Sequence, residues 1–247
     1  MTETSSHPES SAGSSAGLSA ERIALITGAS RGLGAALAEV LAADGWHVIA
    51  LARTTGALEE LDDRIQAAGG HATLAPLDIT QDDAMRHLCR SVHERWGRLD
   101  LWVHAAVHAP PLSPVGHVAI KDWDKTLATT LRATGMLIPM IEPLLRASAR
   151  GTALFFDDAA RLDDTGAPRK FFGAYGAAKA GQIALAQSWA AECAALGPER
   201  APRVIIDTPA PMPTATRARF FPGEDRSKLS PPATEAARIL RLLSEQG

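Results

Sequence analysis

A phenol and an ammonium group stand four residues apart in Tyr175-Gly176-Ala177-Ala178-Lys179, inside a stretch, Gly173–Leu196, that reads as a helix. Residues at i and i+4 share a helical face. A cation beside a phenol favours the phenolate and lowers its pKa, so the pair is suited to general acid–base chemistry near neutral pH. Tyr175 is the only tyrosine of the 247 residues. A second constellation, Thr27-Gly28-Ala29-Ser30-Arg31-Gly32-Leu33-Gly34, joins an apolar run to an apolar helical stretch. Glycine at 28, 32 and 34 lets the backbone turn tightly and approach a pyrophosphate, and the helix start supplies free N–H groups and a positive dipole end. The spacing is GxxxGxG rather than the general GxGxxG. Further on, Ala52-Arg53-Thr54 ends a second apolar run, and no acidic residue occurs from Val48 through Gly56. An acid there would meet the ribose 2′-OH of NAD, whereas an arginine accommodates a 2′-phosphate. Arg53 and Arg31 therefore point to NADP(H) in preference to NAD(H).

The elements that must position these groups are legible as alternating patterns. Short, nearly continuous apolar runs occur at Arg22–Thr27, His47–Ala52, Ala72–Leu77, Leu99–His104, Gly151–Asp157 and Arg203–Thr208. Such runs fit strands covered on both faces. Helical stretches lie between and after them at Gly32–Asp44, Gly56–Ala68, Gln81–Trp96, Lys121–Ala147, Gly173–Leu196 and Pro232–Ser244. Strand alternating with helix predicts βαβ units and a parallel sheet with right-handed crossovers. No internal repeat or linker divides residues 21–247, which read as one domain. Residues 1–20 hold seven serines and read as a disordered tail.

Composition narrows the function classes. The chain is 46% hydrophobic and 21% charged with a net charge of −3, which lacks the basic footprint of a nucleic-acid binder. Cys89 and Cys193 form no CxxC, so neither a disulfide framework nor a structural zinc site is expected. No apolar run is long enough to span a membrane, and the N-terminus lacks the basic and apolar regions of a secretory signal. The cytoplasm is the expected compartment.

Together, the TGxxxGxG loop and the YxxxK pair resemble the short-chain dehydrogenase/reductase family, over roughly Arg22 to Ser244. The resemblance implies a Rossmann-type, doubly wound α/β fold and hydride transfer between NADP(H) and a small carbonyl or alcohol substrate. It implies that Tyr175 gives or takes the oxygen-bound proton, and that Lys179 holds the ribose and tunes Tyr175. Asp78, followed by Ile79, would sit beside adenine. Pro209-Ala210 stands where the family has Pro-Gly, Thr214 would meet the nicotinamide carboxamide, and Thr208–Pro222 would form the substrate lid.

The chain also departs from the family pattern. His104-Ala105-Ala106-Val107 replaces the Asn-Asn-Ala-Gly segment, and Thr130 stands where the family has its helical catalytic asparagine. Asp157-Asp158 falls where the family has paired serines, which puts Asp158 in place of the catalytic one. A hydroxyl donates a hydrogen bond to the substrate oxygen, whereas an ionised carboxylate cannot and would raise the Tyr175 pKa. A protonated Asp158 could donate, as a carboxylic acid does in ketosteroid isomerase. Ser30 belongs to the cofactor loop, and Thr165 could enter from the loop after the fifth strand. These departures sustain an alternative, an NADP(H)-binding protein that is catalytically impaired and has a regulatory or scaffold role. No metal site is expected: the acids at 157, 158, 163 and 164 lack a Ca²⁺-loop glycine pattern, and His104 and His108 fall on a strand and a loop. The sheet should have six strands in the order 3-2-1-4-5-6, with Arg203–Thr208 at an edge. Gln81–Trp96 and Lys121–Ala147 could support a homodimer.

Overall fold

The computed structural model describes residues 21–245; the serine-rich segment 1–20 lies outside the described residues. Six parallel strands form one sheet in the order β3-β2-β1-β4-β5-β6. They are β1 (Arg22–Thr27), β2 (Trp46–Ala52), β3 (His71–Pro76), β4 (Leu101–His104), β5 (Thr152–Phe156) and β6 (Arg203–Asp207). The main helices are α1 (Gly32–Ala43), α2 (Thr55–Ala67), α3 (Asp82–Trp96), α4 (Ile120–Thr126), α5 (Ala133–Arg146), α6 (Gly173–Leu196), α7 (Ala215–Phe220) and α8 (Pro232–Glu245). This is a Rossmann-type α/β fold. The chain reverses its direction of travel across the sheet between β1 and β4, and the loops leaving those strands diverge into a crevice.

Alternation along each strand divides the interior into two cores. Ile23, Leu25, Trp102 and Phe155 face α3, α5 and α6, while Ala24, Ile26, Val103 and Leu154 face α1, α2 and α8. Trp102 anchors the first core, with ring centroids 5.2 Å from Phe155 and 5.1 Å from His104. The strands read as continuous apolar runs because both faces are covered.

Three expectations change. The fourth strand starts at Leu101 rather than Leu99, because Leu99 N–H donates to Leu144 O and the Asp100 side chain accepts from Ile23 N–H. The stretch expected as one helix over 121–147 comprises α4, a π-helical segment Leu127–Arg132 and α5, which carries Pro139 and Pro143 within it. A 3.6-residue periodicity cannot register the extra residue per turn of a π segment. The expected lid contains α7, started by the Thr214 hydroxyl, which accepts from Arg217 N–H. Among the described residues no helix is long and apolar enough to cross a membrane.

The edge strand β6 is fixed to α8 through Arg238, which donates to both Asp207 carboxylate oxygens at 3.1 and 2.5 Å and to Glu235 at 3.0 Å. Glu235, only 5% exposed, also accepts from Ser230 Oγ and from Ala210 N–H at the head of the lid. Replacing Arg238 with methionine leaves two neighbouring carboxylates without their shared cation. The Arg238 side chain is 39% exposed, so solvent screens each of the three contacts well below the value of about 1.5–3 kcal/mol for a buried charged hydrogen bond, and denaturant unfolding should show a combined loss of about 2 kcal/mol.

Candidate active site

The loop between β1 and α1 lies against the loop leaving β4. At Gly28, where φ is +77°, a Cβ would stand 2.8 Å from Ala106 N and Cα; at Gly34 it would stand 2.4 Å from Gly28 O. No side chain caps the start of α1, so its first N–H groups face the crevice without a side-chain acceptor. A cavity of about 480 Å³ opens there.

Gly28, Ser30, Arg31, Gly32, Leu33 and Gly34 line this cavity at one end, with Arg53, Asp78 and Ile79 from the ends of β2 and β3. His104, Ala105 and Ala106 form its floor, and Pro209, Ala210 and Thr214 line it from the lid side. Tyr175, Lys179 and Asp158 complete it. Thr130 is the exception: it is fully buried in the π segment and its hydroxyl accepts from His108 N–H, while its neighbour Thr129 reaches the cavity. Thr165 is held elsewhere, its hydroxyl donating to Asp163 within the loop. Arg53 lies 3.8 Å from Asp78, whose Oδ1 also accepts from Thr80 N–H and its hydroxyl.

Tyr175 is 2% exposed, with its ring 4.9 Å from that of Phe220 on α7 and 6.4 Å from that of Phe172. Its hydroxyl donates to Asp158 Oδ2 at 2.6 Å, and Asp158 Oδ1 accepts from Ala160 N–H at 2.9 Å. Burial, the Asp158 charge and this hydrogen bond raise the Tyr175 pKa well above the ordinary phenol value. The Arg161 charge opposes this rise, but burial and the carboxylates prevail over it. Lys179, 3% exposed, donates to Gln182 Oε1 at 2.6 Å, and burial brings its pKa down to about 8. Asp157 points away from the phenol and accepts both arms of the Arg161 guanidinium, at 2.9 and 2.8 Å. Burial opposes its ionisation, but Arg161 and the Asp158 N–H hold its carboxyl below the usual range.

Two further features lie outside the residues expected at the site. Gln182 and Thr134 extend the Lys179 contact into the protein interior. The lid is fastened by Arg219, which donates to Ala109 O at 2.7 Å, and by Arg217, paired with Glu224 and stacked 4.0 Å from the Phe221 ring centroid. The position of Gln182, three residues after Lys179 on the same helical face, was the one readable signal.

A family model described as short chain dehydrogenase matches residues 22–225. The cis-4-hydroxycyclohexanecarboxylate dehydrogenase of Sinomonas cyclohexanicum is 30% identical over 231 residues, covering 92% of this chain and 90% of that protein. A short chain dehydrogenase structure from Salmonella enterica superposes with a TM-score of 0.81 at 28% identity, covering 90% of each chain. A metagenomic short-chain oxidoreductase solved in complex with NADP superposes with a TM-score of 0.74, also at 28% identity and 90% coverage of each chain. Fold, loop and tyrosine–lysine pair thus agree with a match across most of the sequence, and the chain belongs to the short-chain dehydrogenase family of oxidoreductases.

Proposed function

We propose that this protein is an NADP(H)-dependent oxidoreductase that interconverts a carbonyl and an alcohol, with Tyr175 as the group that exchanges the oxygen-bound proton. The supporting observation is that Tyr175, Lys179 and the glycine loop of β1–α1 all open on one cavity. The residues fit a dinucleotide: side chains at Gly28 and Gly34 would strike the β4 loop and the loop's own backbone, so only glycine allows this tight turn, and the uncapped start of α1 suits a pyrophosphate. The loop from Gly28 to Gly34 would hold the pyrophosphate, Arg53 and Arg31 a 2′-phosphate, and Asp78 and Ile79 the adenine. Lys179 would hold the ribose, while His104–Ala106, Pro209, Ala210 and Thr214 would surround the nicotinamide. When bound, that cofactor supplies or accepts the hydride.

The proton chemistry follows from the Tyr175–Asp158 contact. A tyrosine whose pKa is raised stays protonated but gives up its proton less readily than one poised near the working pH. An ionised Asp158 accepts the phenolic proton and directs it away from substrate. A protonated Asp158 reverses that bond: it donates to the Tyr175 oxygen and leaves the phenolic proton free for the substrate oxygen. As Tyr175 gives its proton, Asp158 passes its own to Tyr175 and ends ionised. Tyr175, Phe220 and Met212 put apolar surface on the cavity wall, which suits a substrate with an apolar part.

The test is titration of the purified protein with NADPH and NADH, followed by turnover on a panel of carbonyls and alcohols across pH. Tighter NADPH binding with turnover supports the proposal. Replacing Arg53 with alanine should weaken NADPH about tenfold, the effect of losing one charged hydrogen bond, and leave NADH unchanged; equal losses for both would place Arg53 outside 2′-phosphate recognition. The alternative reading, a binding protein without appreciable turnover, draws support from the same Tyr175–Asp158 bond. Binding without turnover at any pH is its signature.

A further inference from the structure

Behind Lys179 lies a chain of buried polar side chains from β1, β4, α5 and α6. Lys179 Nζ donates to Gln182 Oε1 at 2.6 Å, and Gln182 Nε2 donates to Thr134 Oγ1 at 2.9 Å. Thr134 Oγ1 also lies 2.9 Å from His104 Nε2 and donates to Thr130 O at 2.8 Å. On its other side, His104 Nδ1 lies 2.8 Å from Thr27 Oγ1. Thr27, His104, Thr134, Lys179 and Gln182 are all 3% exposed or less.

One proton arrangement satisfies every member. A lysine ammonium only donates, so the Gln182 oxygen must face it and the Gln182 nitrogen must face Thr134. Thr134 has one proton, which goes to Thr130 O, so it accepts from both Gln182 and His104. His104 is then the neutral imidazole protonated at Nε2, and its Nδ1 accepts from the Thr27 hydroxyl. A cationic His104 would leave Nδ1–H facing a hydroxyl whose only other acceptor, Val103 O, is 3.4 Å away. Burial, reinforced by the Lys179 charge, pushes the His104 pKa down to about 3, which keeps the ring neutral.

We infer that Gln182, held in place by Thr134 and a neutral His104, is a positioning residue that fixes the direction and the charge of the Lys179 side chain. The inference rests on the reading of Lys179 as the partner of Tyr175 and deepens it. Lys179 is buried, and among the described residues no carboxylate lies within ion-pair distance of it. The charged groups that act on it are Asp158 and Asp157, which favour the ammonium, and Arg161, which opposes it. His104 contributes no charge, α5 contributes the uncharged Thr134, and Tyr175 stands one turn earlier on the same helix. The Gln182 oxygen is thus the direct hydrogen-bond acceptor that compensates the ammonium for lost water. An acceptor of this kind favours the charged form.

The experiment is an NMR titration of the full chain labelled with ¹³C at lysine Cε. The chain has five lysines, and a Lys179→Arg variant assigns the resonance. Gln182→Met should lower the Lys179 titration midpoint by about one pH unit, and Gln182→Glu should raise it by about one unit. Thr134→Val should shift it in the same direction as Gln182→Met, and Thr134→Ser should restore the wild-type midpoint. The threonine pair carries the test if the Gln182 variants do not fold. Midpoints that stay in place in these variants would overturn the inference. Where turnover is present, its pH profile should move with the Lys179 midpoint while KM for substrate stays unchanged. A shift in the NMR midpoint without turnover in any variant would uphold the positioning role and refute the proposed activity.

Discussion

Tyr175→Phe is expected to reduce turnover by about 10²–10⁴-fold, the range for loss of a positioned general acid, while leaving NADPH affinity close to wild type. The ring would still pack against Phe172 and Phe220, since the substitution removes only the hydroxyl oxygen. Its loss also releases the Asp158 carboxylate from its hydrogen bond with the phenol. The phenol lies in the cavity beside the lid, away from the glycine loop, so cofactor titration and turnover separate cleanly. A variant that keeps the parental rate would show that the phenolic proton never reaches a substrate and would overturn the assignment of Tyr175 as the acid.

Replacing Asp158 with serine is expected to produce the opposite change. In the wild type, the carboxylate holds the phenolic proton and places negative charge where an alkoxide would develop. A serine removes that charge, lets the Tyr175 pKa fall and adds a hydroxyl donor. A donor aimed at a developing oxyanion is worth about 10²–10³-fold, so carbonyl reduction at neutral pH should rise by about 10²-fold. A fall in rate at every pH would make the Asp158–Tyr175 relay indispensable and overturn the view of the ionised carboxylate as a brake.

These two residues show how far the sequence could be read. The helix carrying Tyr175 and Lys179 and the first strand occupy the residues expected of them, because their apolar patterns are long or sharply bounded. The strand order followed from the βαβ alternation and the family resemblance. The π segment was invisible, since an apolar spacing pattern tolerates one extra residue per turn. Thr130 illustrates the cost: alignment placed it at a catalytic position, while the wider turn sends its hydroxyl to the His108 backbone and brings Thr129 to the cavity. The Asp158–Tyr175 bond joins residues 17 apart across a loop, and no periodicity reports such a contact. The lysine network is likewise tertiary: His104 departs from the family segment in a way that looked like a defect, yet it meets Thr134 and Thr27 as a satisfied neutral ring.

The scarcity of tyrosine has a practical consequence. With one phenol in 247 residues, every spectroscopic signal peculiar to tyrosine comes from Tyr175. Ionisation of the phenol in the near ultraviolet can be followed without subtracting background phenols, and biosynthetic incorporation of fluorotyrosine would give a single ¹⁹F resonance. That resonance would sense the neighbouring Phe220 ring and the Asp158 carboxyl together. Lid movement and proton transfer could then be timed in the unmodified sequence, because the protein carries its own reporter at the atom where the chemistry is proposed to occur.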